Sequence, residues 1–391
     1  MKIFLVAGAR PNFMKVAPLI EAFRARRNRF PDLEPLLVHT GQHYDARMSE
    51  EFFRDLEMPT PDIQLRAGSG THAQQTARVM VDFEQICLQH QPALVIVVGD
   101  VNSTLACAIA AKKLGIRIAH VEAGLRSRDM SMPEEINRLC TDVISDFLFT
   151  TDRLANENLM AEGCPRHRIH FVGNTMIDSL QKHLSRALAM PLPLGLGPGG
   201  YALLTMHRPS NVDHPMALRR LFGAINEIAK HVPVIFPAHP RTAQQLEGIH
   251  LHDQLLVIEP LGYLAFLGLM ARARMVLTDS GGIQEETTVL RVPCLTLRQN
   301  TERPITCAMG SNILAGTDPD RIVDHAMRVL DAPPLRNRVP EKWDGRAAER
   351  IADLLLRWFI RHHLLAGAGD EKPTRRHRRS PPGVTDCRVQ L

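Results

Sequence analysis

The sequence predicts an α/β fold made of two doubly wound halves that face each other across a cleft, and two observations support this prediction. Short apolar runs rich in β-branched residues alternate with amphipathic helical patterns along most of the 391 residues, which is typical of parallel sheets covered by helices on both faces. The segment MPLPLGLGPGG at 190–200 interrupts this alternation, which then starts again. Because Pro and Gly cluster in linkers, we expect two domains.

The first half contains six predicted strands and the second half contains five. The first six lie at 2–7, 36–40, 93–98, 116–121, 147–151 and 169–172, with helical patterns between them, such as 15–27 and 102–114. The other five lie at 201–206, 234–237, 255–259, 275–278 and 293–297. We therefore expect a first domain at 1–189 and a second at 190–365. The last helical pattern, 344–363, is long enough to cross back to the first domain.

Composition and cysteine spacing argue against several classes of protein. The seven cysteines are an odd number and form no C-x-x-C pair, which favours a reducing, cytoplasmic compartment and argues against a metal site of the zinc type. No apolar run approaches the roughly 18 residues that a membrane span requires, and the apolar start is too short for a signal peptide. The net charge of +5 is modest, and RRHRR at 375–379 belongs to a predicted disordered basic tail, 366–391. No nucleic-acid or membrane partner is therefore expected.

Three glycines of the linker match a dinucleotide-binding pattern but lie in the wrong context. Gly195, Gly197 and Gly200 fit G-x-G-x-x-G, yet they precede a predicted strand. The pattern requires a strand, then the glycine turn, then a helix. We interpret these glycines as part of the linker, and we expect no nicotinamide cofactor.

Polar residues directly follow five of the predicted strands, and ligands bind at the carboxyl ends of parallel strands. These segments are 8–11, with Lys15 one turn further, then 99–102, 122–124, 207–208 and 279–282. Taken singly, Asn102 and Asp279 are better interpreted as helix N-caps or turn residues. Five such strand ends in one chain favour a shared site in the cleft.

The segment TDSGGIQEE at 278–286 is typical of an anion site. Its predicted helix begins at Ser280, Gly281 and Gly282, where free backbone N–H groups and the helix dipole attract phosphate. Glu286 lies one turn along, where a carboxylate accepts hydrogen bonds from a ribose. Basic residues from other loops would neutralise a diphosphate, namely Arg10, Lys15 and Arg303. The alternative is an ordinary capped helix with acidic residues in its first turn.

Carboxylates collect on the other side of the predicted cleft. Asp100 and Glu122 each follow a predicted buried strand, and MPEE at 132–135 has the Pro and acidic residues of a helix N-terminus. Crowded carboxylates shift one another's pKa values and can divide into an acid and a base. Glu134 and Glu135 have an alternative role, since surface acids at this position stabilise a helix dipole.

Eight motifs, in their order and spacing, resemble the non-hydrolysing UDP-N-acetylglucosamine 2-epimerases. They are GARPNFMKVAPL, GDVNSTLA, HVEAGLRS, MPEEINR, GNTMIDSL, TMHRPSN, TDSGGIQEE and TERPI, and the resemblance covers about residues 1 to 363. It implies two Rossmann-like domains in a GT-B-like arrangement, a cytoplasmic homodimer, and catalysis without metal or nicotinamide. The implied reaction converts UDP-N-acetylglucosamine reversibly into UDP-N-acetylmannosamine for bacterial surface polysaccharides, by elimination and re-addition of UDP through 2-acetamidoglucal.

The resemblance also implies roles for individual residues. Asp100, Glu122 and Glu135 form the acid/base set, with Glu135 preferred to Glu134, and His207 lies beside the diphosphate. The substrate-binding roles are Arg10, Lys15, Ser280, Gly281 and Gly282 at the phosphates, Glu286 at the ribose, Phe266 on the uracil side and Arg303 in the closed cleft. Which carboxylate removes the proton and which donates one stays open.

The sequence departs from the family pattern at three places, and other enzymes share part of it. Asn12 stands where many members have Glu, Leu261 where some have Gln, and YDARM at 44–48 replaces an Arg-Glu-Met of members that substrate activates. Activation by substrate is therefore not implied. A GT-B glycosyltransferase, a hydrolysing epimerase and a silent nucleotide-sugar binder are alternatives, but a transferase or a binder does not need three carboxylates.

Overall fold

The computed structural model describes residues 1–41, 52–333 and 338–362, and it contains two parallel sheets. The strands of the first sheet are β1 (Lys2–Ala7), β2 (Glu34–His39), β3 (Ile63–Gln64), β4 (Leu94–Val98), β5 (Arg117–Val121), β6 (Phe147–Thr150) and β7 (Ile169–Phe171). Those of the second are β8 (Ala202–Thr205), β9 (Val234–Pro237), β10 (Leu255–Ile258), β11 (Met275–Thr278), β12 (Cys294–Thr296) and β13 (Asn312–Leu314). Their orders are β3-β2-β1-β4-β5-β6-β7 and β10-β9-β8-β11-β12-β13. The predicted α/β class with two doubly wound sheets is confirmed.

Helices connect the strands in both halves. Those that the structure describes are α1 (Arg10–Ala25), α2 (His72–His90), α3 (Asn102–Lys113), α4 (Pro133–Ile144), α5 (Arg153–Ala161), α6 (Thr175–Ala189), α7 (Pro209–Val212), α8 (Pro215–Ala229), α9 (Pro240–Gln245), α10 (Tyr263–Ala271), α11 (Gly281–Leu290), α12 (Pro304–Ala308), α13 (Pro319–Asp331) and α14 (Ala347–Arg361). Helix α1 begins at Arg10, before the predicted start at residue 15, because Pro11 fits a first helical turn that needs no N–H from it.

The central strand β4 shows why the sequence forms a sheet covered on both faces. Its sequence LVIVV is buried at every position. Leu94 and Ile96 pack into the hydrophobic core that includes α1 and α14, whereas Val95 and Val97 pack into the core that includes α2 and α3. Alternate side chains of a strand point to opposite faces, so a continuous apolar run fits this position.

Helix α14 returns from the second half and packs against α1 and α6 of the first. The Asp178 carboxylate in α6 accepts hydrogen bonds from the backbone N–H groups of Ala347 at 3.1 Å and Ala348 at 2.7 Å, and so caps the start of α14. Trp343, just before α14, donates from Nε1 to the carbonyl of Thr151 at 3.0 Å. The end of the described chain is thus bound to the first sheet.

Direct hydrogen bonds connect the two halves. The N–H of Leu264 donates to Asp55 at 3.2 Å, and Asn300 Nδ2 donates to Asp129 at 3.0 Å. No helix in the ranges given above is long and apolar enough to cross a membrane. The segment 44–48 and the predicted tail 366–391 lie outside the described residues.

Candidate active site

Two strand ends and one helix bring the three predicted acid/base carboxylates to one edge of the first sheet. Asp100 follows β4, Glu122 follows β5, and Glu135 lies in the first turn of α4. Arg138, one turn further along α4, joins two of them. It contacts Glu135 at 2.6 Å and forms a short ion pair with Asp100. These two carboxylates therefore share one buried cation.

Glu122 is held between cations from both halves of the chain. Its Oε1 accepts a hydrogen bond from Arg303 Nη2 at 3.1 Å, and its Oε2 forms a close ion pair with Lys15. The side chain is only 1% exposed, and the backbone has a φ of +69°. A left-handed conformation costs a residue with a Cβ about 1 to 2 kcal/mol. Such strain is concentrated at functional sites, which suits a carboxylate aimed at the contact between the halves.

Helix α1 fixes Lys15 beside the end of β4. A Cβ added to Gly99 would lie 3.2 Å from Lys15 Nζ and 3.5 Å from Glu122 Oε2, so this turn has little room for a side chain. Asn12 Oδ1 accepts from the N–H groups of Gly8 and Ala9, and Asn12 Nδ2 donates to the backbone carbonyl of Val98. Asn12 thus anchors the loop before α1. The side chain of Arg10 lies outside the described part.

Arg303 links the halves at the start of α11. Besides Glu122, it contacts Glu285 at 3.0 Å and Glu302 at 2.6 Å. A Cβ on Gly281 would collide with Arg303 Nη1 and with Glu302 Oε1, so a larger residue there would have to displace this ion pair. The predicted anion cradle at the N-terminus of α11 therefore has a guanidinium beside it, which adds to the positive potential of the helix end.

The other two residues of the predicted cradle also sit at this helix start. Ser280 is the N-cap residue of α11, and its N–H donates to Thr278 Oγ1 at 3.0 Å. A Cβ on Gly282 would lie 3.2 Å from the methyl carbon of Met176, which belongs to the first turn of α6. Glycine here lets the second-half cradle approach the first half closely.

Glu302 is the centre of an arginine cluster on the second-half side. Arg298 contacts it at 2.8 Å, Arg303 at 2.6 Å and Arg208 at 3.7 Å. Burial opposes ionisation of Glu302, but Arg303 and Arg298 outweigh burial and hold its pKa well below the usual range. Because three cations share this carboxylate, this wall of the cleft suits a doubly charged diphosphate.

His207 and Asp279 form a pair at the mouth of the cleft, with Nδ1 and Oδ1 2.9 Å apart and the imidazole 63% exposed. The Asp279 carboxylate also accepts from the N–H groups of His207 and Arg208 and from Asn211 Nδ2. The N-cap interpretation of Asp279 is therefore wrong. This carboxylate fixes the loop after β8 instead of capping α11.

The N-cap interpretation of Asn102 is also wrong. Val101 is the N-cap residue of α3, and Asn102 lies inside the helix. The Asn102 side chain donates to Gln75 at 2.8 Å and accepts from Asn137 at 3.3 Å. It therefore connects α2, α3 and α4 beneath the cleft.

Two acidic residues of α11 are deeply buried. Burial raises the pKa of Glu285 to about 7 and that of Glu286 to about 8. Glu286 interacts with the hydroxyl of Tyr263, and Phe266, one turn further along α10, is half-buried against the main core. Of the predicted site residues whose side chains the structure describes, only His207 belongs to the lining of the cleft between the halves. The others lie outside it, namely Lys15, Asp100, Glu122, Glu135, Phe266, Ser280, Gly281, Gly282, Glu286 and Arg303.

This cleft has a volume of about 670 Å³. Its lining includes His72, Asp129, Met132 and Glu134 from the first half and His207, Arg208, Asn211, Arg220, Arg298 and Asn300 from the second. Glu134 faces the cleft, while Glu135 accepts from the N–H groups of Ser127 at 3.0 Å and Arg128 at 2.8 Å. Burial opposes ionisation of Glu135, yet these bonds and Arg138 lower its pKa overall.

Several charged residues of the site were not singled out from the sequence: Arg138, Asp142, Glu285, Arg298 and Glu302. Two of them carried a signal. Arg138 lies three residues after Glu135, a spacing that places both on one helix face, and Glu302 precedes Arg303. No local sequence pattern identifies Arg298, whose contact with Met132 joins residues far apart in the chain.

Facing strand ends of two doubly wound sheets, with an anion cradle on one side and carboxylates on the other, define a nucleotide-sugar enzyme of the GT-B-like class. The fold alone is shared with the calicheamicin glycosyltransferase CalG4, at a TM-score of 0.52 and 15% identity over 92% of this chain and 98% of that chain. The UDP-N-acetylglucosamine 2-epimerase of Methanocaldococcus jannaschii, solved with UDP-N-acetylglucosamine and UDP, gives a TM-score of 0.84 at 38% identity, over 91% and 100% of the two chains.

The sequence comparisons identify the family. A family model described as UDP-N-acetylglucosamine 2-epimerase matches residues 25–356. The UDP-N-acetylglucosamine 2-epimerase of Methanococcus maripaludis is 43% identical over 84% of this chain and 92% of its own length. The UDP-2,3-diacetamido-2,3-dideoxy-D-glucuronate 2-epimerase of Pseudomonas aeruginosa is also 43% identical, over 91% and 99%. The chain belongs to the UDP-N-acetylglucosamine 2-epimerase family and is an isomerase, which confirms the resemblance found in its motifs.

Proposed function

We propose that the protein converts UDP-N-acetylglucosamine reversibly into UDP-N-acetylmannosamine without hydrolysing either. The observation that carries this proposal is the convergence of Asp100, Glu122 and Glu135 at one sheet edge, where Arg303, the N-cap residue of α12, contacts Glu122 from the second half. Family membership supports a UDP-sugar as substrate. The course of the reaction follows from the chemistry of that sugar.

The sugar requires an elimination. C2 carries an amide nitrogen and no neighbouring carbonyl, so its proton is barely acidic. Removal of this proton while UDP leaves C1 forms the C1=C2 double bond of 2-acetamidoglucal, and the electrons of the C1–O bond leave with UDP. UDP then adds back to C1 while a proton arrives on the opposite face of C2. This route needs a base, an acid on the other face and strong stabilisation of UDP.

The charged residues of the site match these needs. Asp100, Glu122 and Glu135 form the proposed acid/base set, and their shared cations, Lys15, Arg138 and Arg303, keep them oriented. The proposed diphosphate site combines Arg10, Lys15, His207, Arg303 and the helix start at Ser280, Gly281 and Gly282. Glu286 would hold the ribose and Phe266 the uracil side. Charge that develops on the departing UDP would then meet preorganised donors.

NMR of the purified protein with UDP-N-acetylglucosamine as the only added substrate tests this function. We expect the signals of UDP-N-acetylmannosamine to grow to a constant ratio, with no matching release of UDP. Release of UDP together with free N-acetylmannosamine would indicate a hydrolysing enzyme. Turnover only after addition of a sugar acceptor would indicate a glycosyltransferase.

UDP-2,3-diacetamido-2,3-dideoxy-D-glucuronate is a second candidate substrate. A relative with 43% identity bears the name of its epimerase, and the C2 chemistry is the same. Arg298 lines the cleft, and its Nη1 atom has no hydrogen-bond partner among the described residues. A sugar carboxylate would satisfy it. The ratio of the kcat/KM values for the two UDP-sugars decides between them. An Arg298→Lys variant should lower kcat/KM for the uronate substrate but not for UDP-N-acetylglucosamine.

We also propose a cytoplasmic homodimer that supplies bacterial surface polysaccharide synthesis. Helix α4 supports the dimer, because its buried face is charged while Ile136 and Val143, 43% and 68% exposed, point outward. Val81 of α2 is 59% exposed, and an apolar groove of about 480 Å³ runs between these two helices. A second copy with the same apolar face is the simplest partner, since twofold dimers pair identical patches.

A further inference from the structure

A buried histidine lies behind the three carboxylates, and the reaction proposed above does not use it. His120, in β5, is fully buried. Its Nδ1 is 2.6 Å from Asp142 Oδ1, and its Nε2 is 2.8 Å from the carbonyl oxygen of Gly99. Asp142 is 1% exposed and lies on α4.

Both partners of the imidazole are hydrogen-bond acceptors. A carbonyl oxygen only accepts, so Nε2 carries a proton. The second oxygen of Asp142 accepts from the N–H of Gly124 at 3.1 Å and lies 2.7 Å from Arg126. Burial opposes ionisation of Asp142, but His120 and Arg126 outweigh it and lower its pKa. Arg126 and the N–H of Gly124 favour the carboxylate form of Asp142, and a carboxylate 2.6 Å from Nδ1 requires a proton on that nitrogen as well, so these contacts favour an imidazolium.

The His120 and Asp142 pair connects the three elements that carry the proposed acid/base residues. Through Gly99 it holds the turn that precedes Asp100. His120 itself stands two residues before Glu122, and Gly99 returns a hydrogen bond from its N–H to the carbonyl of Val121 at 3.0 Å. Asp142 lies seven residues after Glu135, two turns along the same face of α4.

The charges of His120 and Asp142 are compensated by neighbouring residues that do not line the cleft. Asp142 faces His120 from α4, and Arg126 faces Asp142 from the loop after β5. Glu162, at the end of α5, pairs with Arg126 at 2.6 Å. Two cations and two carboxylates thus form a closed chain, so the imidazolium is compensated inside the protein.

We infer that His120 and Asp142 are positioning residues for the epimerase proposed above, and that a doubly protonated His120 fixes the relative places of Asp100, Glu122 and Glu135. This inference rests on the proposed function. A displacement of about 1 Å in reacting groups costs up to about a hundredfold in rate. Most of the proposed UDP site belongs to the second half, and only Arg10 and Lys15 belong to the first. Loss of the pair should therefore change turnover far more than UDP binding.

The experiment combines kinetics of full-length variants with NMR of the imidazole nitrogens. We expect His120→Gln and Asp142→Asn each to lower kcat by about 10- to 100-fold, with KM and UDP affinity within about threefold of the parent. The double variant should lose no more than the worse single variant, because both changes break one unit. His170→Gln on β7, at the far edge of the same sheet, is the matched control and should keep its turnover.

The NMR measurement separates positioning from simple support of the fold. In the parent protein at neutral pH, both ring nitrogens of His120 should carry a proton, and in Asp142→Asn the ring should be neutral. A neutral ring in the parent, kcat within about twofold of normal in both variants, or a parallel loss of UDP affinity would each overturn the inference. A parent without epimerase activity would contradict the proposed function instead, and the ring protonation would still test the pair.

Discussion

At the residue scale, the neighbours Glu134 and Glu135 have opposite environments. Glu134 lines the open cleft, whereas Glu135 is 1% exposed and bonded to Arg138. We expect Glu135→Gln to lower kcat at least about a hundredfold, because it removes a proposed acid/base group and unpairs Arg138. UDP affinity should stay nearly unchanged. Steady-state kinetics and calorimetry with UDP measure both quantities.

Glu134→Gln is the matched control and should cost far less. Asp100→Asn and Glu122→Gln should resemble the Glu135 variant. If Glu135→Gln turned over nearly normally while Glu134→Gln did not, the role would pass to the residue that faces the cleft.

Glu286 should make stability depend on pH. Burial raises its pKa from 4.5 to about 8, so between these values the folded chain keeps a proton that the unfolded chain releases. The folded state then binds more protons, and the free energy of unfolding falls as pH rises through this range. Glu286→Gln replaces the protonated carboxyl by a neutral amide. The free energy of unfolding of this variant should therefore decrease less as the pH rises. Melting temperatures from about pH 5 to about pH 8 measure it, with Glu157→Gln, an exposed site on α5, as the control.

Single residues were predictable where the chemistry depends on a local pattern. Glycines at the start of α11 and acids after a strand mark their sites within a few positions. The contacts of Arg298 with Met132 and of His120 with Asp142 were not predictable, because each joins residues on different elements. The N-cap alternative for Asp279 was wrong for the same reason, since the partners of its carboxylate come from the loop after β8.

At the scale of the element, α4 is the helix whose pattern departs most from the ordinary arrangement. Its charged residues, Glu135, Arg138 and Asp142, face inward at spacings of three and four, whereas the apolar Ile136 and Val143 are exposed. An amphipathic pattern predicts a helix but does not tell which face is buried. Asp100 and Glu122 lie at the strand ends beneath α4. The charged face of α4 is therefore the one that is buried against the sheet.

The exposed apolar face of α4 should hold the proposed dimer together. Replacing both Ile136 and Val143 by Glu places charge on that face, so we expect a monomer whose far-UV circular dichroism is unchanged. Light scattering after size exclusion measures the mass. Met216→Glu, on a residue of α8 that is 74% exposed, should leave the mass unchanged. A parent that is already monomeric would exclude the proposed dimer.

The bounds of elements were predictable where periodicity was long enough. Strands 2–7, 234–237 and 275–278 agree with β1, β9 and β11. The two edge strands β3 and β13 have two and three residues, too few to show alternation, and were not predicted. Their pairing depends on the neighbouring strand and not on their own sequence.

At the scale of the whole molecule, Arg303 is the residue through which the two halves share charge. It belongs to the second half, yet it contacts Glu122 of the first as well as Glu285 and Glu302 of its own. The two-sheet architecture was predictable from alternation and a linker. The contact of Arg303 with Glu122 was not predictable, because it depends on how closely the two halves approach each other.

The contact between Arg303 and Glu122 should keep the reaction non-hydrolysing. In the proposed reaction, the intermediate and UDP must stay together until UDP adds back, and Arg303, a proposed ligand of the diphosphate, also contacts Glu122 of the first half. In D₂O we expect the parent protein to place deuterium at C2 of both the recovered substrate and the epimer, with no free 2-acetamidoglucal. Arg303→Ala should slow turnover and release 2-acetamidoglucal and UDP in equal amounts, while Arg303→Lys should release less. An epimer without deuterium at C2 would contradict the elimination, and a slow Arg303→Ala variant that releases no intermediate would show that other groups retain UDP.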